Sequence, residues 1–183
     1  MRVSRSEVRE AHIAALQEEF SSLAARGVWV AGNVFSPIVL VKGELDEAEL
    51  AGGELLGGAD GDALRAALLR LGYAPEDFCA LAATGEGAPL EEGLFREALE
   101  ALDPEAVLLL DDVAADAMRE AYADALAEIE DFETATLAPG RLATVQGRRV
   151  VALDGFERSL SDMRAKQRMW AFMKQLPPAG APY

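Results

Sequence analysis

Residues 106–110 read Ala-Val-Leu-Leu-Leu, five apolar positions with no polar break, and two aspartates follow at once. A half-exposed strand alternates apolar and polar residues, so an unbroken run belongs in a sheet covered on both faces, as parallel sheets are. Similar short runs stand at 28–32 (VWVAG), 37–41 (PIVLV), 78–83 (FCALAA), 142–145 (LATV) and 148–153 (RRVVAL). The last two, separated by Gln146-Gly147, read as a pair. Helical spacing fills the intervals. Residues 62–73 place Leu64, Ala67, Leu68 and Leu71 on one face before Gly72 ends the helix. Residues 89–103 do the same with Leu90, Leu94, Ala98 and Leu99, and residues 114–132 form a third long helix. A first helix from Ser4 to about Arg26 carries Val8, Leu16, Phe20 and Leu23 near one face, and Gly27 stops it. A last helix starts near Ser159, with Asp162 giving a capping-box-like start, and Pro177-Pro178 ends it. Its stripe is Leu160, Met163, Trp170 and Met173. Alternating strands and helices predict an α/β chain with a central, mainly parallel sheet between two helical layers. Residues 1–183 read as one domain, with 177–183 a loose tail.

Charge narrows the partners. The chain has 32 acids against 17 bases, a formal net charge of -15, so its overall field repels phosphate backbones. Glu44 to Asp62 holds seven acids and no base; Arg141 to the end holds eight bases and three acids. Arg158, at the start of the basic C-terminal helical segment, and Arg164, Lys166 and Arg168 along it are the candidates for nucleic-acid contact, set against an ordinary solvated helix face. DNA binding is therefore expected to be weak or absent. The single cysteine, Cys79, sits in an apolar run and permits no intrachain disulfide and no cysteine-ligated cluster. The first twenty residues are too charged for a signal peptide, and no run of 18 apolar residues exists, so the expected compartment is the cytoplasm, without membrane contact.

Most familiar chemistries fail on inventory. The glycines at 52, 53, 57, 58 and 61 fit neither a dinucleotide fingerprint nor a P-loop, and acids, not a lysine, accompany them. One histidine and one cysteine cannot build a zinc site, and no G-x-S-x-G motif marks a nucleophile. What remains is carboxylates at strand ends: Glu44, Asp46 and Glu47 after one strand, Asp111 and Asp112 after another, Asp154 after a third. In an open parallel sheet these ends gather over one crevice, where oxygens can hold Mg²⁺ or Ca²⁺. Equally, each acid can start a loop or cap a helix, and the expectation is no metal and no cofactor.

The order of pieces resembles the uracil-DNA glycosylase superfamily, in particular its bacterial and archaeal branch with an iron–sulfur cluster. Residues 38–64 are similar to that branch's first motif region, a strand, Gly43-Glu44, an acidic loop and a glycine-rich entry to a helix. Residues 73–83, 95–118 and 150–176 resemble its next strand, its middle helix and strand, and its last strand, catalytic loop and final helix. The resemblance spans roughly Pro37 to Leu176 and implies a three-layer α/β/α glycosylase-like core.

The functional positions depart from the family. Leu45-Asp46-Glu47 stands where the family has Ala-Pro-Gly, and the cluster cysteines are missing. Ala82 falls about where the uracil-reading Asn belongs, Asp111 where a Gly does, and Asp154-Gly155-Phe156 where His-Pro-Ser does. Base excision needs donors for the negative charge growing on the departing base, and a carboxylate at 154 opposes that. The resemblance thus implies a catalytically inactive member acting as a binding or interaction module. Its inherited crevice would comprise Gly43, Glu44, Asp46, Asp111, Asp154, Gly155 and Phe156. The alternative is an enzyme of altered chemistry using Glu44, Asp46 and Asp154 on a small molecule or nucleobase. In a residual DNA-binding mode, Phe156 would act as a wedge; otherwise it folds back on the core. The first helix and residues 28–32 lie outside the resemblance and are free to cover the domain or make a homo-oligomer contact.

Overall fold

The computed structural model describes residues 4–180, so the tail expected over 177–183 falls partly outside the described residues. Helix α1 (Arg5–Ala25) starts at Ser4, whose hydroxyl accepts the Glu7 N–H while the Glu7 carboxylate accepts the Ser4 N–H. Its expected apolar stripe is only partly used. Leu23 is buried but Val8 is 58% exposed, because burial is confined to the C-terminal turns.

The chain then runs through β1 (Val30–Gly32), β2 (Ile38–Lys42), α2 (Glu47–Leu50), α3 (Ala59–Leu71) and β3 (Cys79–Ala82). A small ribbon follows, β4 (Thr84–Gly85) with β5 (Ala88–Pro89), then α4 (Glu92–Leu102), β6 (Ala106–Leu109) and α5 (Asp112–Ala121). The remainder is α6 (Ala123–Leu126), α7 (Phe132–Ala135), β7 (Leu142–Val145), β8 (Arg148–Ala152), α8 (Phe156–Ser159) and α9 (Met163–Met173).

Six strands form one sheet in the order β1-β3-β2-β6-β8-β7. The inner four are parallel, and β1 and β7 close the edges antiparallel. The fold is therefore mixed α/β with a mostly parallel sheet. Strands β7 and β8 are the pair expected from residues 142–153, turning at Gln146-Gly147. Successive residues point to opposite faces. Val39, Val41, Val107 and Leu109 accordingly pack with Phe95, Leu99 and Met118 of α4 and α5. Ile38, Leu40, Ala106 and Leu108 pack with Leu64 and Leu68 of α3 and Met169 and Met173 of α9.

Three elements differ from the periodicity. The long helix over 114–132 breaks at Tyr122, which leaves helical geometry at φ -120°, ψ 28° and separates α5 from α6. The last helix starts at Asp162, whose carboxylate accepts the Ala165 N–H; Ser159 instead ends α8. The acidic stretch over 44–61 is not a plain loop, since it contains α2 and the start of α3.

Among the inner strands, β2 leads by way of α2 and α3 to β3 on one side, and the chain returns across to β6 on the other. The connections therefore diverge above the carboxyl ends of β2 and β6. Open α/β sheets place their crevices at such a point.

Candidate functional site

The crevice lies where the topology puts it. It is lined by Lys42 and Glu44 from the end of β2, Asp60 from the first turn of α3, Leu110 and Asp111 from the end of β6, and Gly155 to Arg158 after β8.

Its floor is an ion cluster. Lys42 is the last residue of β2 and is buried, with its Nζ 2.7 Å from Asp60 Oδ2 and 2.8 Å from Glu49 Oε2. Asp46 and Glu157 stand farther off, at 3.9 and 3.7 Å. Burial pushes the Lys42 ammonium toward losing its proton, but hydrogen bonds and charge from Asp60 and Glu49 outweigh it and hold the group charged above the usual lysine range. The two buried carboxylates are fully occupied. Glu49 also accepts the Asp46 and Leu56 N–H groups, and Asp60 accepts that of Gly61. The cation these acids surround is the chain's own.

Asp111 forms the wall. One oxygen accepts the Gly43 and Glu44 N–H groups at 2.9 and 3.0 Å, and the other caps α5 through Ala114 N–H at 2.8 Å. A buried carboxylate with three backbone donors fixes the loop after β2 against the helix after β6. Gly43 permits this approach, since a Cβ there would lie 2.5 Å from Val113 Cβ and 2.7 Å from Ala114 N.

The roof is the segment after β8. Gly155 takes φ +73°, and the Arg158 guanidinium lies so close over it that a Cβ would meet Nε at 2.5 Å. Phe156 is buried in the core on the α3–α9 side, and its N–H donates to Leu110 O at 2.9 Å.

Of the expected crevice residues, Gly43, Glu44, Asp111, Gly155 and Phe156 come together. Asp46 stands aside as the cap of α2, accepting the Glu49 N–H. Asp154 is exposed, does not line the crevice, and pairs with Arg168 at 3.1 Å. The four basic candidates do not form one row. Arg158 covers the crevice and Arg168 pairs with Asp154, while Arg164 and Lys166 are exposed. Lys42, Glu49 and Asp60 were not anticipated. Their signals are a lysine at the end of an unbroken apolar strand, and Asp46-x-x-Glu49, a capping-box spacing.

The space left is small, about 40 Å³, room for a few waters at most. Among the described residues no group of three or more His, Cys, Asp or Glu side chains is arranged to hold a metal ion. Among them, too, no helix is long and apolar enough to cross a membrane. A scan against protein-family models finds no match for the chain, and a search of curated proteins finds none either.

Proposed function

We propose that the chain is a non-catalytic, uracil-DNA-glycosylase-like protein, a binding or interaction module on a three-layer α/β/α frame. The observation that carries this reading is the self-filled crevice. The position above β2 and β6 where an α/β enzyme would admit a ligand is floored by Lys42 with its own acids and roofed by Phe156 and Arg158. About 40 Å³ is far below the roughly 300–1,000 Å³ of ordinary ligand pockets, and a flipped base needs a pocket of its own. The carboxylates that remain at the mouth, Glu44 and Glu157, also disfavour the charge that base departure develops.

Incubating purified protein with uracil-containing single-stranded DNA tests this. No uracil release above the uncatalysed background is expected. Release that disappears in Glu44→Gln would replace this reading with a working glycosylase.

A second reading, an enzyme of altered chemistry, draws on Glu44, Glu157 and Arg158 meeting at one mouth. It requires a small molecule or nucleobase to raise the melting temperature of the native protein, and that rise to vanish in Glu44→Gln. No such rise is expected.

A further inference from the structure

A second hollow lies between α3 and α9, on the other side of Phe156, which lines both it and the crevice. Its volume is about 270 Å³, against about 40 Å³ for the crevice. Ala63 and Ala67 supply small side chains on the α3 wall, and Met169, Met173 and Trp170 supply the apolar wall on α9. Only two charged groups line it, Arg70 and Lys166, both exposed cations. Neither makes an ion pair among the described residues, and no acid lines the hollow. In a chain with 32 acids and 17 bases, that is a local reversal of sign. Arg70 is held over the Trp170 ring, 4.5 Å from its centroid, so its charge is fixed at the edge of the apolar surface.

The lining offers few partners to a polar occupant. Its one hydroxyl, Ser159, is buried and already donates to Phe156 O at 2.5 Å. A sugar or nucleobase placed there would find side-chain donors only at Arg70, Lys166 and the Trp170 indole, and no carboxylate or amide to accept from its own hydroxyl or amino groups. An alkyl or aryl body loses nothing, and a single anionic head meets Arg70 and Lys166.

We propose that the α3–α9 hollow binds a small single-tailed organic anion, an apolar body with a carboxylate or phosphate head. The test is calorimetric titration of the full chain with decanoate, decyl phosphate and decanol. A Trp29→Phe background leaves Trp170 as the only tryptophan to report the location. One saturable site for decanoate or decyl phosphate is expected, with a change in Trp170 emission. Decanol, with the same tail and no charge, should bind at least about tenfold more weakly. Arg70→Gln and Lys166→Gln should each weaken the anions several-fold and leave decanol unchanged. The two heads compared decide between carboxylate and phosphate within the proposal. The absence of saturable binding at millimolar anion overturns it, and so does equal affinity for decanol. Anion affinity indifferent to both substitutions does the same. Sedimentation with phosphatidylglycerol vesicles without binding of free anion assigns the surface to membrane lipid and equally overturns it.

Discussion

Lys42 Nζ lies 2.7 Å from the Asp60 carboxylate at the end of β2, and both side chains are buried. The pair, with Glu49, keeps β2, α2 and the first turn of α3 in one arrangement. Lys42→Met leaves two buried carboxylates facing each other without a cation. The expected loss is about 3–5 kcal/mol of unfolding free energy, the range for breaking a buried ion pair by removing one partner. Replacing all three residues with apolar ones of similar volume should cost less than Lys42→Met alone. Urea denaturation of the two variants checks both statements. A loss within about 0.5 kcal/mol for Lys42→Met would mean that the cluster is solvated in solution.

Alkaline pH acts on a related set of groups. Burial pushes the Cys79 thiol up to about 12, and burial likewise raises the Tyr73 and Tyr122 hydroxyls to about 12. Lys42 is also shifted upward. All four hold their protons more tightly folded than unfolded, so the unfolded state binds fewer protons at high pH and stability falls as pH rises. Their contribution is whole below about pH 9, the ordinary value for a free thiol, and declines as pH climbs toward 12. Urea midpoints measured across that window should fall steadily. Cys79→Ala should delay the onset to about pH 10, where the tyrosines begin. The native thiol should also resist disulfide reagents at neutral pH, reacting only on unfolding.

Two aspartates that follow parallel strands separate a structural from a surface role. Asp111→Ala strips three backbone N–H groups of their acceptor, those of Gly43 and Ala114 buried and that of Glu44 partly so, and unmet buried groups cost about 1–3 kcal/mol each. A loss of at least about 2 kcal/mol is expected. Hydrogen exchange should become fast at the amides of Gly43, Glu44 and Ala114. Asp154→Ala removes a pair whose side chains are 47% and 54% exposed, and should change stability by less than about 1 kcal/mol.

What the sequence made legible follows from where the physics is local. The unbroken run at 106–110 and the pattern over 62–73 depend on one face and one period, and both gave the right elements. The edge placement of β1 and the break at Tyr122 depend on what packs alongside, which spacing cannot express. The crevice was legible as a place, because strand ends converge at a switch point whatever residues they carry. Its contents were not. Asp111 and Asp154 occupy equivalent sequence contexts, a strand followed by an acid. One meets three N–H groups and the other pairs with Arg168 at the surface. Glu49 and Asp60 read as members of an acidic loop until the fold turns them onto Lys42.

Phe156 decides what the loop after β8 does. Exposed, it would be a wedge for a partner; here it is 6% exposed, packed with Leu64, Met169 and Met173, and its N–H is tied to Leu110 O. Removing a buried aromatic ring costs about 3–5 kcal/mol through lost transfer energy and the cavity left behind. Phe156→Ala should therefore lower stability by about that amount, while Glu157→Ala, one residue on and exposed, should stay within about 1 kcal/mol. Phe156→Leu, which keeps most of the apolar volume, should recover more than half of the loss. Denaturant melts of the three variants distinguish the cases. A wedge waiting in solvent predicts that all three match the parent, and a core residue roofing a closed crevice predicts that only Phe156→Ala falls far.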